Sequence, residues 1–302
     1  MLDATQTTRT PPPLTTLPPA APPAAAEGAA DQAQTSGYAD CVDRSCAENR
    51  FSSELGVGLS DPPVKSGDST TFTAVAGDAF RTDGKGAVVP PTHTDVDQGD
   101  LGDCWLMAGA AAVAHQDAEY IQGRITKNAD GTFNVKLGDK TEVVKATFPD
   151  AGYADATPGN KKNTLWAALV EKAYAQQAGG YGNLDHGSSS GAAMEKLTGK
   201  PSTATSISSS TTADDLYKVL KAGKDGDHPM TVETKKSGVT APLHADHAYT
   251  ILDVYERDGQ KYAKVYNPWG VNDGARKASD LEHEVKLEDL ISSSSVAYVN
   301  GG

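Results

Sequence analysis

The sequence predicts an α+β fold, with helices gathered in the first half of the core and antiparallel strands in the second. Three observations support this. Between residues 104 and 222 apolar residues recur at helical spacing. After Gly226 they alternate at period two. No strand–glycine-loop–helix unit for a dinucleotide and no Gly-Lys-Ser/Thr phosphate loop is present. The segregation describes either one α+β domain or two lobes meeting at a cleft.

Residues 1–37 are dominated by Pro, Ala and Thr and carry too little apolar surface to repay ordering, so they are expected to be disordered. Residues 38–87 form an N-terminal extension or linker with a possible regulatory role, in which Thr71–Val75 suggests one short strand. The core is expected over 88–302, dividing near residue 222. Cys104 opens a helix of Ala and Leu expected to reach about His115. Asp117 suits the cap of a second helix through Ile125. Two strands, 132–137 and 141–148, flank Gly138-Asp139 as a hairpin. Leu165–Ala178 is a helix stopped by Gly179-Gly180, and Ala192–Leu197 a shorter one stopped at Gly199. Residues 187–191 are a Ser/Gly loop, and 202–212 are nearly all Ser, Thr and Ala. Asp214–Ala222 is a helix capped by Thr212 or Asp214. Strands follow at 229–233, 247–254, 260–266 and 294–299.

The formal net charge is -13, from Lys+Arg 27 against Asp+Glu 40. That disfavours nucleic acid and acidic membrane surfaces as partners. No apolar run reaches transmembrane length and the start lacks a secretion signal, while export by an unrecognised signal stays open. Three cysteines, Cys41, Cys46 and Cys104, make a poor disulfide framework and fit a reducing, cytoplasmic setting. Cys41 and Cys46 lack a second ligand pair, and His244 with His247 lacks the third and fourth ligands zinc requires.

Cys104, His247 and Asn267 supply a nucleophile, a base and a group that can orient the base. A thiol on the first turn of a helix meets unpaired N–H groups that favour the thiolate. His247 and Asn267 lie on neighbouring strands of one hairpin, and the Gln98 amide can donate to a developing oxyanion. Taken singly, each has an ordinary structural explanation: a core cysteine, a half-buried histidine, an Asn-Pro turn. Their joint occurrence carries the argument for a cysteine peptidase.

The motifs resemble those of the calpain family of cysteine peptidases. Gln98-Gly99-x-x-Gly102-Asp103-Cys104-Trp105-Leu106 resembles its cysteine motif. Leu165-Trp166-x-x-Leu169-Val170-Glu171-Lys172-Ala173-Tyr174-Ala175 resembles its downstream helix, and Gly180-Tyr181 and Gly187-Ser188-Ser189 continue it. His247-Ala248-Tyr249 and Asn267-Pro268-Trp269-Gly270 resemble its histidine and asparagine motifs. The resemblance implies a papain-like two-lobed fold, a helical lobe and a β lobe with the active site between them. It implies limited proteolysis of protein or peptide substrates; a monomer is expected. Cys104 would be nucleophile, His247 base and then acid, Asn267 orienter and Gln98 oxyanion donor. Trp269 would shield the His–Asn pair, and Trp105 would pack beneath the nucleophile. Calcium-activated members hold one calcium ion per lobe. Asp95 matches one acidic ligand, but Thr164 stands where a second is expected and no further tryptophans follow Gly270. No cofactor is therefore expected to be required, and at most a weak calcium site lies near Asp95. A catalytically silent binding module and a transamidase using the same triad are the alternative functions.

Overall fold

The fold mixes helices with antiparallel sheets, four helices and two small sheets in the first half and a six-stranded sheet with two helices in the second. The computed structural model describes residues 59–64, 70–99, 101–149, 164–185, 187–270 and 281–301. The expected disordered segment 1–37 lies outside the described residues, as do Cys41, Cys46 and residues 151–163.

Six helices and eleven strands are seen among the described residues. Strand β1, Phe72–Ala74, pairs antiparallel with β5, Thr147–Pro149. Helix α1 is Cys104–Gln116 and α2 is Ala118–Gln122. Strands β2 (Ile125–Lys127), β3 (Phe133–Leu137) and β4 (Lys140–Val144) form a small antiparallel sheet. Helices α3 (Trp166–Ala178) and α4 (Ser190–Thr198) follow. The second half holds β6 (Ser202–Ser206), α5 (Ala213–Asp225), β7 (Met230–Thr234), β8 (Ala248–Arg257) and β9 (Gln260–Tyr266). It ends with β10 (Glu282–Lys286), α6 (Leu287–Ser293) and β11 (Ser294–Asn300). A six-stranded antiparallel sheet runs β10-β9-β8-β7-β11-β6.

Each helix has a visible stop or start. Asp117 accepts from the Tyr120 backbone and caps α2. Thr212 accepts from Asp215 N–H while the Asp215 carboxylate reaches back, a capping box that starts α5. Gly179 and Gly199 end α3 and α4 in the left-handed region. Several elements depart from expectation: α6 is not foreseen, and the expected strand 141–148 is two, β4 and β5, in different sheets. Helix α2 stops before Ile125, because Ile125 pairs with Val135 as the edge of the small sheet. Helix α4 begins at Ser190 because Ser189 caps it, so the Ser/Gly loop is shorter than expected. The Ser/Thr run at 202–206 is a strand paired to β11, and β10 lies at the opposite edge. Both are edge strands with polar faces, so neither carries an apolar alternation.

Two apolar clusters make up the core. The first joins α1, α3 and α4 with β3, including Leu106, Trp166, Leu169, Phe133 and Met194. The second joins α5 and α6 with the large sheet, including Leu216, Leu220, Val232, Val265 and Leu290. Helix α1 is buried from Trp105 to Ala114, and its Ala108 carbonyl accepts from Thr250 Oγ1 on β8 at 2.7 Å. That bond ties the cysteine's helix to the strand that follows His247. No helix among the described residues is long and apolar enough to cross a membrane.

The segment 59–64, expected to be linker, is built into the fold. Pro63 and Val64 carbonyls accept from the backbones of Tyr181 and Gly182. Asp61 accepts from Lys172 Nζ at 2.5 Å and from Thr147 Oγ1, and it also pairs with Lys145 at 3.0 Å. Lys172 is only 1 % exposed. Burial lowers its ammonium to about 8, with the Asp61 charge opposing the shift. Removing one partner of a buried pair strands the other charge, at about 3–5 kcal/mol. Asp61→Ala is therefore expected to cost roughly 3 kcal/mol. Replacing both partners, as Asp61→Leu with Lys172→Met, should recover much of that loss. Urea denaturation of the three proteins measures both effects.

Candidate active site

Cys104 is the first residue of α1, so helix geometry alone sets its direction. The backbone N–H groups of Trp105 and Ala248 lie close enough to the thiol to favour its ionised form. The second contact places the sulfur beside the residue that follows His247. Those N–H groups lower the thiol as expected for a helix start, but burial outweighs them. Desolvation, with the Asp103 and Glu233 charges adding to it, pushes the thiol up to about 11. The expectation that the helix terminus alone favours thiolate is thus corrected. An electropositive partner would be needed to draw the proton off.

His247 is nearly buried and rigidly framed. Its N–H donates to Thr234 Oγ1 at 3.0 Å, and its carbonyl accepts from the Thr234 backbone at 2.9 Å. Its Nε2 lies 2.8 Å from Asn267 Oδ1. That oxygen also accepts the Trp269 backbone N–H at 3.1 Å, which fixes the amide's orientation. An amide oxygen only accepts, so Nε2 carries the hydrogen and Nδ1 the lone pair. Trp269 covers the imidazole with ring centroids 4.5 Å apart, and Tyr249 meets it edge-on at 4.9 Å. The tryptophan also packs, tilted, against His244 with ring centroids 4.3 Å apart. Asn267 and His247 are both enclosed, so their bond is sheltered from water.

The loop before Cys104 is clasped to the loop after Asn267. Gln98 N–H donates to the Pro268 carbonyl at 2.8 Å, and Tyr266 Oη donates to the Val96 carbonyl at 2.8 Å. Gly270 adopts φ +67, and a Cβ there would lie 1.6 Å from Asp97 Oδ1. Only glycine fits that crossing. Gly102 is constrained in a similar way: its N–H donates to Asp185 Oδ1 at 2.9 Å, where a side chain would collide. Gln98 Nε2 donates to the Leu101 carbonyl at 2.7 Å, so one of its two amide hydrogens holds the loop. Trp105 donates from Nε1 to the Leu184 carbonyl at 3.2 Å and meets Tyr174 edge-on.

The profile described as calpain family cysteine protease matches residues 86–286. This chain belongs to the calpain family. It is 30% identical over 225 residues to Calpain-9 of Mus musculus, covering 66% of this chain and 31% of that protein. It is 29% identical over 197 residues to Calpain-type cysteine protease DEK1 of Arabidopsis thaliana, covering 58% and 9%. It is 28% identical over 215 residues to Calpain-1 catalytic subunit of Rattus norvegicus, covering 64% and 30%. The match spans less than a third of each of these relatives.

The surroundings of Asp95 do not fit the calcium ion that some calpains bind. Asp95 Oδ1 pairs with Arg81 Nη1 at 2.6 Å. Its Oδ2 accepts from Thr92 N–H at 2.7 Å and from Trp166 Nε1 at 3.3 Å. Thr164 spends its hydroxyl on the Ala79 carbonyl at 2.7 Å. A hard cation asks for six to eight oxygen ligands. Asp95 is instead ringed by donors, and no group of three or more metal-ligating side chains occurs among the described residues.

Motif reading passed over two acidic features of this calpain site. Glu233 on β7 accepts from Ser190 N–H and Oγ at the start of α4, and its charge reaches the thiol. Asp103, the residue before the cysteine, is fully buried. Burial raises Asp103 from 3.8 to about 7. An unfolded chain releases this proton near 3.8, whereas the folded chain keeps it until about 7. Between those limits the unfolded state holds fewer protons, so stability falls as pH rises. Asp103→Asn is expected to flatten that decline. Thermal melts of both proteins at pH 5 and pH 7.5 test it: the wild type should lose more Tm than the variant.

Proposed function

We propose that this chain is a thiol-dependent endopeptidase that cuts polypeptides at limited sites through an acyl-enzyme. The observation that carries the reading is the sheltered His247–Asn267 bond beside the strand whose backbone lies close to the Cys104 thiol. Cys104 attacks the scissile carbonyl after passing its proton to His247 Nδ1, and an imidazolium forms. Asn267 holds the ring without adding a charge, which suits a thiolate–imidazolium pair. The second hydrogen of the Gln98 amide and the Cys104 backbone N–H stabilise the oxyanion. His247 then returns its proton to the leaving amine, and water activated by the imidazole releases the product. Trp269 keeps bulk water from the His–Asn bond, and Trp105 fixes the start of α1. The fold is a papain-like pair of lobes, supported by two apolar clusters that each contribute to the site. The substrate is a protein or peptide, and the enzyme works as a monomer.

A second reading, a catalytically silent cleft, is favoured by the thiol's elevation to about 11. A thiol-directed inhibitor separates the two, since only the enzyme reacts stoichiometrically at Cys104. Cys104→Ala is expected to abolish cleavage of a protein substrate with the fold intact. Asn267→Ala should lower kcat by about 10²-fold, the scale of general acid–base assistance. Cleavage by the Cys104→Ala protein at the wild-type rate would sink the assignment.

No cofactor is needed on this reading, because Arg81 supplies the positive charge at Asp95. Peptidase rates measured in chelator and then across a calcium titration should stay level. A rise of tenfold or more with calcium would show that a metal site forms despite the ion pair.

A further inference from the structure

Thr231 and Glu233 of β7 stand directly opposite Thr250 and Ala248 of β8. Paired residues of antiparallel strands share a face, and this face looks toward α1 and α4. Thr250 Oγ1 donates to the Ala108 carbonyl of α1 at 2.7 Å, and Thr231 Oγ1 lies 2.8 Å from Ser190 Oγ at the start of α4. Glu233 and Ala248 are the next pair along the same face, toward His247. The Gln98–Pro268 and His247–Asn267 bonds hold the entry of α1 at that same end of β8. Cys104 lies one turn before Ala108, about 6 Å back along α1. Ala248 lies two residues before Thr250, about 7 Å back along β8. The Ala108–Thr250 bond therefore brings Cys104 level with the Glu233–Ala248 pair.

Glu233 is half-buried, whereas Met230, Thr231, Val232 and Thr234 of the same strand are buried. Its Oε1 accepts from Ser190 N–H at 2.6 Å and from Ser190 Oγ at 2.9 Å. Both donors fall on one oxygen, which anchors the carboxylate and leaves Oε2 outside that pair of bonds. No Lys or Arg pairs with Glu233 among the described residues. Lys235, two residues on, gives its Nζ to the Ser292 carbonyl at 2.6 Å. The residues in register on either side of Glu233 are apolar, Ala248 on β8 and Val296 on β11. Gly187 and Ser188, in the loop that leads into α4, are exposed.

We propose that Glu233 is a specificity-determining residue that takes a lysine or arginine side chain of the substrate next to the scissile bond. The proposal rests on the reading of Cys104 as nucleophile and deepens it by naming the substrate class. An alkyl stem fits along Ala248 and Val296, and the cationic head meets the carboxylate in a charge-assisted hydrogen bond. Without substrate, the Glu233 charge raises the neighbouring thiol. A cation bound to Glu233 offsets that charge, so the contact that selects the substrate also eases loss of the thiol proton. A substrate with the right residue then gains in kcat as well as in KM.

The test uses the full chain and Glu233→Gln, which keeps an oxygen acceptor for Ser190 and loses the charge. Denatured casein is digested by each protein, and the new peptide ends are identified by mass spectrometry. The wild type should cut where Lys or Arg occupies one fixed position beside the scissile bond, and Glu233→Gln should lose that preference. Two synthetic peptides, alike except for Lys or norleucine at that position, are then compared. The wild type should favour the Lys peptide about tenfold in kcat/KM, with part of the gain in kcat. Glu233→Gln should treat the two peptides alike. A variant that slows on both peptides equally, or keeps the wild-type preference, would overturn the proposal, since a merely structural cap on α4 predicts that result. A second measurement needs no turnover. Cys104 is modified by the cationic 2-aminoethyl and the neutral methyl methanethiosulfonate, each rate taken relative to 2-mercaptoethanol and followed by the mass of the peptide that carries Cys104. A cation-to-neutral ratio about tenfold higher in the wild type than in Glu233→Gln supports the proposal. Equal ratios overturn it, and a ratio near one in the wild type overturns it even where Glu233→Gln does not fold. Charge-selective modification without any cleavage sinks the peptidase reading and leaves the cation site standing. Inertness of Cys104 toward both reagents overturns the nucleophile reading and this one with it.

Discussion

The geometry of the site depends on the clasp between residues 96–98 and residues 266–270. Two hydrogen bonds, Gln98 N–H to Pro268 and Tyr266 Oη to Val96, hold the approach to α1 against the exit from β9. Gly270 lets the two backbones cross where any side chain would strike Asp97. Cys104 follows one loop and Asn267 opens the other, so their separation is set by backbone bonds. Thr250 on β8 adds a second tie, to the middle of α1. Side-chain rotamers then have little left to decide, which is what a preorganised site requires.

The neighbourhood of the site also shows how buried charge is managed. Lys172 has a carboxylate, a threonine hydroxyl and a carbonyl as partners. Asp95 has a guanidinium and two N–H donors. Asp103 has no cation beside it to offset its burial, which raises its carboxyl to about 7. Desolvation can penalise ions more than their pairing repays, so the partners of each group decide what its burial costs.

The helices and central strands could be read in the sequence because their apolar faces repeat. Cys104–Gln116 and Trp166–Ala178 match their expected spans within a residue, β9 matches its own, and β8 runs three residues beyond its expected end. The edge strands could not be read. Ser202–Ser206 has only polar or small side chains, and Glu282–Lys286 alternates charge with little apolar content. Their identity comes from partners distant in sequence, β11 and β9. The same division applies to the site. Cys104, His247 and Asn267 each announce a chemical type, so a role could be proposed for each. Arg81 against Asp95 and Asp61 against Lys172 are ordinary residues until folding brings them together. The thiol's elevation was equally illegible, because helix position is local whereas burial is a property of the whole packing.

On the proposed reading, Arg81 changes what sets the competence of the site. A diffusible cation assembles a carboxylate cluster only at concentrations near its dissociation constant, so assembly can be switched. A guanidinium carried on the chain is present at fixed local concentration and arrives with folding. Asp95 is held by it between the approach to α1 and Trp166, at the first turn of α3, whose indole shares the same carboxylate. The two helices that present Cys104 and Glu171 are thereby joined through one covalently tethered charge. Control of such an enzyme would then have to act on access to the cleft or on the thiol's proton, because the lobe itself is already assembled.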